Sequence, residues 1–364
     1  MHCWPPLSSP SVRPSCLLRK EGSGCGMRRA RTARGGRGHG AAAAGRAGRV
    51  MRAAVSAFFG GYHCFSSVAA LLALPFSAAV LASEAAAPSS PALRGAAARL
   101  RAVFAAAGFP PSPFFALLEA KLAQTVFTFA ATLPFALTFL LLAKACVAAM
   151  LRDDGDGAPR PPRRRRPAAL PPCGAVARAY PAVAATHLVN AFLMLTANAA
   201  VFSLLLLAFG AADLLGLTSH PWTLALSAAG AIVYSLAIGV ATVVCNLAVI
   251  VAATEPGCAG HAAVLRACVA IRGRVSTALA LALPTNLGMA AAEALFGLRV
   301  VAQRRRAGRL APGVAGEAFS IAYIHAICVV LEIIVSCMFY QSCKRSEADE
   351  LRELEPEEKG DLQA

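Results

Sequence analysis

Three ionisable side chains stand inside stretches of sequence that hold almost no others. Glu332 lies midway along an apolar run at 318–343, and His325 precedes it by seven residues, on the same face of a helix. Glu293 lies in the second half of another apolar run, 275–298, seven residues after Asn286. If these two helices are neighbours, Glu293, His325 and Glu332 could form a relay for a proton or a site for a cation. The alternative is that Glu332 is protonated and closes a hydrogen bond to an adjoining helix. Ionisable groups at membrane depth cost about 2.5–3.5 kcal/mol on insertion scales, so either role must offset a real penalty.

A second polar set is uncharged. Asn190 and Asn198 share a helical face at i,i+8, and Thr242 and Asn246 share one at i,i+4. They could line a hydrophilic path. Interhelical hydrogen bonds, worth about 0.6 kcal/mol on average in a membrane, account for them equally well.

The third set is "ATEPGCAGHAAVLRACVAIRGR", in which an apolar run meets Glu255 and Pro256. Proline suits a first helical turn, and an acid there meets the positive end of the helix dipole. Gly273 is a candidate helix stop before Arg274. The expectation is a short interfacial helix over 256–272. Glu255 and Arg266 would then sit on one side of it, about 16 Å apart along a straight helix, too far to touch.

Soluble-enzyme chemistry has no foothold. The chain carries no GxSxG, Walker A or HExxH motif. Its histidines lack metal-ligand spacing, so the reading is non-enzymatic, with no cofactor and no metal. The cysteines form no CxxC pair, and Cys64, Cys146, Cys245, Cys328 and Cys337 lie in apolar runs, where cysteine packs as a small hydrophobe. Cys343, just before Lys344 and Arg345, is a weak palmitoylation candidate against a packing role.

The elements that must position these residues are membrane spans. Of 364 residues, 57% are hydrophobic and 15% charged, with a mean hydropathy of +0.59. Uncharged stretches exceed the roughly 20 residues that cross a bilayer. Six spans are expected, at 57–82, 122–143 (running on towards Met150), 187–210, 221–253, 275–298 and 318–343. Pro75, Pro134 and Pro284 should kink their helices. The fold class is all-α: a polytopic membrane protein, a six-helix transmembrane bundle with the interfacial helix between spans four and five.

Net charge is +16 and the pI is near 9.9. The arginines cluster at span ends and in the tail without interleaved aromatics, so the partners expected are the lipid bilayer and anionic lipid headgroups, not nucleic acid. Protein partners would dock through the termini. Residues 1–50 read as a disordered basic tail, an organelle transit peptide or a stretch upstream of a later start at Met27 or Met51. Residues 51–344 form the six-span domain, with a flexible loop "RDDGDGAPRPPRRRRPAALPPCG" between spans two and three, and 345–364 an acidic cytosolic tail. Basic residues concentrate on the side of the termini, which puts both in the cytosol of an endomembrane or plasma-membrane protein, or in a plastid or mitochondrial membrane if the tail is a transit peptide.

These pieces together resemble a plant family of six-span membrane proteins with no established activity. In that family a Glu-Pro pair after the fourth span opens onto an Ala- and Arg-containing helix with a Gly-Arg/Lys end, as at Glu255, Pro256, Arg266 and Gly273. "LALPFSAAVLASEAA" resembles its first span, "YPAVAATHLVNAFLMLTANAAVF" its third and "VSCMFYQSCK" the end of its sixth. The likeness runs from Met51 to Lys344. Small-residue spans, the absence of catalytic motifs and this interfacial likeness together point to a non-enzymatic scaffold or lipid-interacting component; a secondary transporter or proton-coupled carrier using Glu293, His325 and Glu332 is the alternative. Glu332 departs from the family's small or apolar residue there.

Overall fold

The computed structural model describes residues 36–86, 90–106, 113–153, 173–216, 219–307 and 312–361. Among them there is no strand. Six helices are long and apolar enough to cross a membrane: Tyr62–Ala86, Ala123–Arg152, Gly174–Ala212, Leu224–Thr254, Val275–Arg304 and Gly313–Ala348, here spans one to six. Three further helices are α1 (Gly36–Gly60), α2 (Pro91–Ala106) and α3 (His261–Ile271). The loop between spans two and three lies outside the described residues from 154 to 172, as do residues 1–35 of the tail.

Span six is the axis of the bundle. Half of its most apolar window is buried inside the protein, against 6% for span three, whose face is left for lipid. Spans one, two, four and five, together with α1 and α3, pack on it. Helix–helix attraction in lipid is weak, so close approach must come from small residues. Gly288 illustrates this: a Cβ there would stand 3.2 Å from the Cys328 sulfur of span six.

The prolines act as expected in part. Span one has a π-bulge at Ala69–Ala73, directly before Pro75, and span two has one at Ala136–Leu140, directly after Pro134. A π-bulge strands a carbonyl. In span two Leu137 O is recovered by the Tyr180 hydroxyl of span three at 2.8 Å. Pro284 is carried inside an unbroken helix.

Several boundaries differ from expectation, span one starting at Tyr62 rather than 57 and span three at Gly174 rather than 187. Residues 36–50, read as unfolded tail, are helical in α1, and Ala47, Ala54 and Phe58 are buried against the bundle. Local composition is Gly- and Arg-rich, so tertiary packing rather than propensity makes this helix. At the other end, the helix of span six continues to Asp361, so the acidic tail is an extension of the axis and not a separate segment.

The main core lies towards the end of the bundle where α3, α1 and the ends of spans two, four and six meet. Leu141, Val147, Leu247, Ile250, Ile333 and Ile334 are fully buried there. Span ends leave carbonyls without helical partners. Here Arg152 reaches Thr254 O at 3.4 Å and Gln341 reaches Leu151 O at 3.2 Å, tying spans two, four and six at one level.

Candidate functional site

Span six places a series of polar side chains along one broad face: Glu347, Lys344, Tyr340, Ser336, Glu332 and His325. From His325 to Glu347 the rise is about 33 Å, close to the thickness of a bilayer's hydrocarbon core. The partners fall into three groups at different depths.

The outermost group centres on Glu255. Its Oε1 accepts a hydrogen bond from the Tyr340 hydroxyl at 2.6 Å and one from Lys344 Nζ at 3.3 Å. Arg266 Nε stands 3.9 Å from Oε2, and Arg266 Nη2 donates to Glu347 Oε2 at 2.9 Å. This overturns the expected separation of Glu255 and Arg266. Glu255 is not on the interfacial helix. It caps span four in an extended conformation, its N–H bonded to Val251 O at 2.8 Å. Proline has no N–H and disfavours a helical residue before it, so Pro256 ends the helix of span four instead of starting the next. Gly257 and Gly260, with φ of 91° and 60°, then turn the chain back, and α3 begins only at His261. Gly260 N–H donates to Thr186 Oγ1 of span three at 2.8 Å, which pins the turn. Gly273, with φ of 77°, follows the last residues of α3 as a left-handed stop.

The electrostatics follow from this arrangement. Burial alone would raise the Glu255 carboxyl, but the Tyr340 hydrogen bond and the Lys344 and Arg266 charges outweigh it and hold the group below the ordinary carboxylate value. Burial likewise opposes the Arg266 charge, and Glu347, Tyr340 and Glu255 together more than restore it.

The middle group was not legible as a set. Lys144 of span two, 6% exposed, donates to Asn246 Oδ1 at 3.0 Å, and Asn246 Nδ2 donates to Glu332 Oε1 at 2.6 Å. Asn246 thus bridges an amine and a carboxyl from two other helices. Beside it, a cavity of about 30 Å³ is lined by Asn246, Thr285, Glu332 and Ser336, room for about one water. Asn190 is one turn from this level and donates to Cys245 O at 2.7 Å.

The innermost group joins His325 to Ser77 of span one and Glu293 of span five. His325 Nδ1 and Ser77 Oγ are 2.9 Å apart, and His325 Nε2 is 3.5 Å from Glu293 Oε1. Both ring nitrogens are therefore engaged. The relay expected of Glu293, His325 and Glu332 is not assembled as a set of three: Glu293 and His325 meet, while Glu332 turns to Asn246, about 10 Å along the helix. Asn198 lies apart, accepting from the Tyr234 hydroxyl of span four at 2.7 Å. Thr242 bonds its own helix at Ile238 O. Cys343 is 1% exposed, which removes it as an acylation target in this conformation. No cluster of metal-ligating side chains occurs among the described residues.

The family described as a domain of unknown function (DUF8558) matches residues 173–354, half of the chain. The chain belongs to this family. No curated protein and no solved structure matches it. The DUF8558 region spans the third to sixth helices together with α3, and so contains the whole Glu255 network. Lys144 and Ser77 lie outside it, so the middle and inner groups are each completed by a residue from the preceding half of the chain.

Proposed function

We propose that this integral membrane protein is a non-enzymatic, lipid-associated scaffold, with α3 and the acidic extension of span six on the cytosolic face. The observation that carries this reading is that Lys144, Asn246, Glu332, His325 and Ser77 find their partners across helices, beside a cavity with room for about one water. Groups spent in this way lock helices together. The placement of both termini in the cytosol rests on the bias of basic residues, and an endomembrane or plasma-membrane address rests on the resemblance to the plant family. Fluorescent fusions beginning at Met1, Met27 and Met51 test the address: plastid or mitochondrial targeting by the longest form alone would replace it. Reconstitution in liposomes tests the scaffold, and saturable flux that disappears in Glu332→Gln would overturn it.

One observation favours a carrier instead. Lys144 and Glu332 are joined through a single amide beside a water-sized cavity, and such a pair could exchange partners when a proton or cation enters. That reading requires the cavity to open to one face. Cysteine substitution at Ser336, with water-soluble maleimide labelling that rises under an imposed proton gradient, would support it.

A further inference from the structure

Between α1 and the near ends of spans five and six lies a cleft of about 340 Å³. Arg46 and Arg49 of α1, Arg274 before span five and Arg345 of span six line it, and none of its lining residues is acidic. The nearest acid along span six, Glu347, is committed to Arg266 at 2.9 Å. Among the described residues, no carboxylate pairs with any of these four guanidinium groups.

Two independent features mark the cleft as built for an anion. Thr277 contributes to its wall, is 4% exposed, and its hydroxyl has no hydrogen-bond partner. A buried hydroxyl left unpaired in this way costs about 1–3 kcal/mol, which a ligand oxygen would recover. The helix of span five also starts at this wall: its first helical bond runs from Ala278 N–H to Arg274 O at 3.0 Å, which leaves the amides of 275–277 without helical acceptors at the positive end of the dipole. Guanidinium forks suit phosphate oxygens in paired contacts.

The remaining wall says what kind of phosphate. Val50, Ala53, Met338 and Phe339 give it an apolar stretch beside Ser342, Cys343 and Ser346, and it stands where spans five and six leave the membrane. A free anion has no use for an apolar wall, whereas the glycerol and first methylenes of a lipid do. A volume near 340 Å³ is at the small end for ligand pockets and suits a compact head. We infer that this cleft binds the phosphate-bearing head of an anionic membrane lipid, held by Arg46, Arg49, Arg274 and Arg345 with Thr277 as a specific hydrogen-bonding partner. The site deepens the lipid-associated reading above and shares its membrane placement. Transport activity would overturn the scaffold and leave this binding intact, while loss of lipid selectivity would overturn the site alone.

The experiment is native mass spectrometry of the full chain released from phosphatidylcholine vesicles doped with phosphatidic acid. The expected result is preferential retention of phosphatidic acid. Arg274→Gln should weaken it about fivefold, and Arg49→Gln with Arg274→Gln about 25-fold, from about 1 kcal/mol per basic residue near the surface. Thr277→Val should reduce retention severalfold while leaving the lipid-free unfolding midpoint no lower than that of the natural chain, since it removes an unpaired buried hydroxyl, and this separates binding from folding. Arg299→Gln with Arg304→Gln removes equal charge from the exposed far end of span five and should change nothing. Equal retention of phosphatidylcholine and phosphatidic acid would overturn the site, as would equal losses from the far-end control. Displacement of the lipid by inorganic phosphate at matching concentration would overturn the lipid assignment in favour of a free anion.

Discussion

Removing Glu332 should harm the fold more than removing Lys144, although the two are linked through one amide. Lys144 is 6% exposed and enclosed by the main core, while Glu332 is half-buried and lines the water-sized cavity. Breaking a buried charge pair by deleting one partner costs about 3–5 kcal/mol, because the other is left uncompensated. That full cost applies where the survivor stays dry. With Glu332→Leu the survivor is the Lys144 amine, 6% exposed and held by a single bond to Asn246, so the expected loss is about 3–5 kcal/mol. With Lys144→Met the survivor is a carboxyl that keeps its 2.6 Å bond to Asn246 and can recruit water, so the loss should fall to about 1–2 kcal/mol, near the upper values for polar contacts within membranes. The double variant leaves neither group stranded and should recover most of the Glu332→Leu loss. Reversible unfolding in mixed detergent micelles, followed by circular dichroism, measures all three. An additive double variant, or a Lys144→Met loss as large as that of Glu332→Leu, would refute the argument.

Other expectations follow from the outer and inner groups. The Glu255 carboxyl is held below its ordinary value, so it contributes stability that is full above about pH 4.3 and lost as pH falls through its folded value. Acid titration of the unfolding midpoint should show this slope in the natural chain and a flatter one in Glu255→Gln. Tyr340→Phe deletes a 2.6 Å bond to a carboxylate and should cost about 1.5–3 kcal/mol in the same unfolding assay. Gly260→Ala forces a side chain into φ of 60° and should cost about 1–3 kcal/mol, with the α3 turn becoming susceptible to protease first. Maleimide reagents should label Cys268, which is exposed, in the folded protein, and reach Cys343 only after denaturation.

The six spans could be read from sequence because a bilayer imposes a length and forbids charge, and both are visible residue by residue. The pairing of their polar groups could not. Lys144 stands at the end of the uncharged run 122–143, where a lysine is indistinguishable from an interfacial topology signal. Only the neighbouring helices show that it points into protein, towards Asn246, 102 residues away. Ser77 is an ordinary small residue of a span until His325 is found 2.9 Å from it, across 248 residues of chain. At Pro256 the local chemistry allowed two outcomes, since proline both begins and ends helices. The following Gly257 and Gly260 decide for a break, because together they let the chain reverse where a continuous helix would have needed neither. The first half of α1 was hidden for a different reason: its arginines and glycines describe a disordered basic tail until the helix packs on spans five and six, with Ala47 buried.

These long-range pairs bear on how the bundle chooses one arrangement. Spans built mainly from small and aliphatic residues can slide or rotate past one another at little cost, because lipid solvates their faces as well as protein does. A hydrogen bond at membrane depth has no such freedom: displaced by one turn, its donor and acceptor face hydrocarbon. Span six meets α3 and span four at Glu255, spans two and four at Asn246, and spans one and five at His325. Each contact fixes the register of a different neighbour, and span three is fixed to span four by Asn190 and Asn198 in turn. Polar groups that first suggested a relay are thus sufficient to specify the packing of all six helices. A rearrangement that moves these helices past one another must exchange one of these pairings, and the Asn246 bridge, with a water-sized cavity beside it, is where that exchange meets the least resistance.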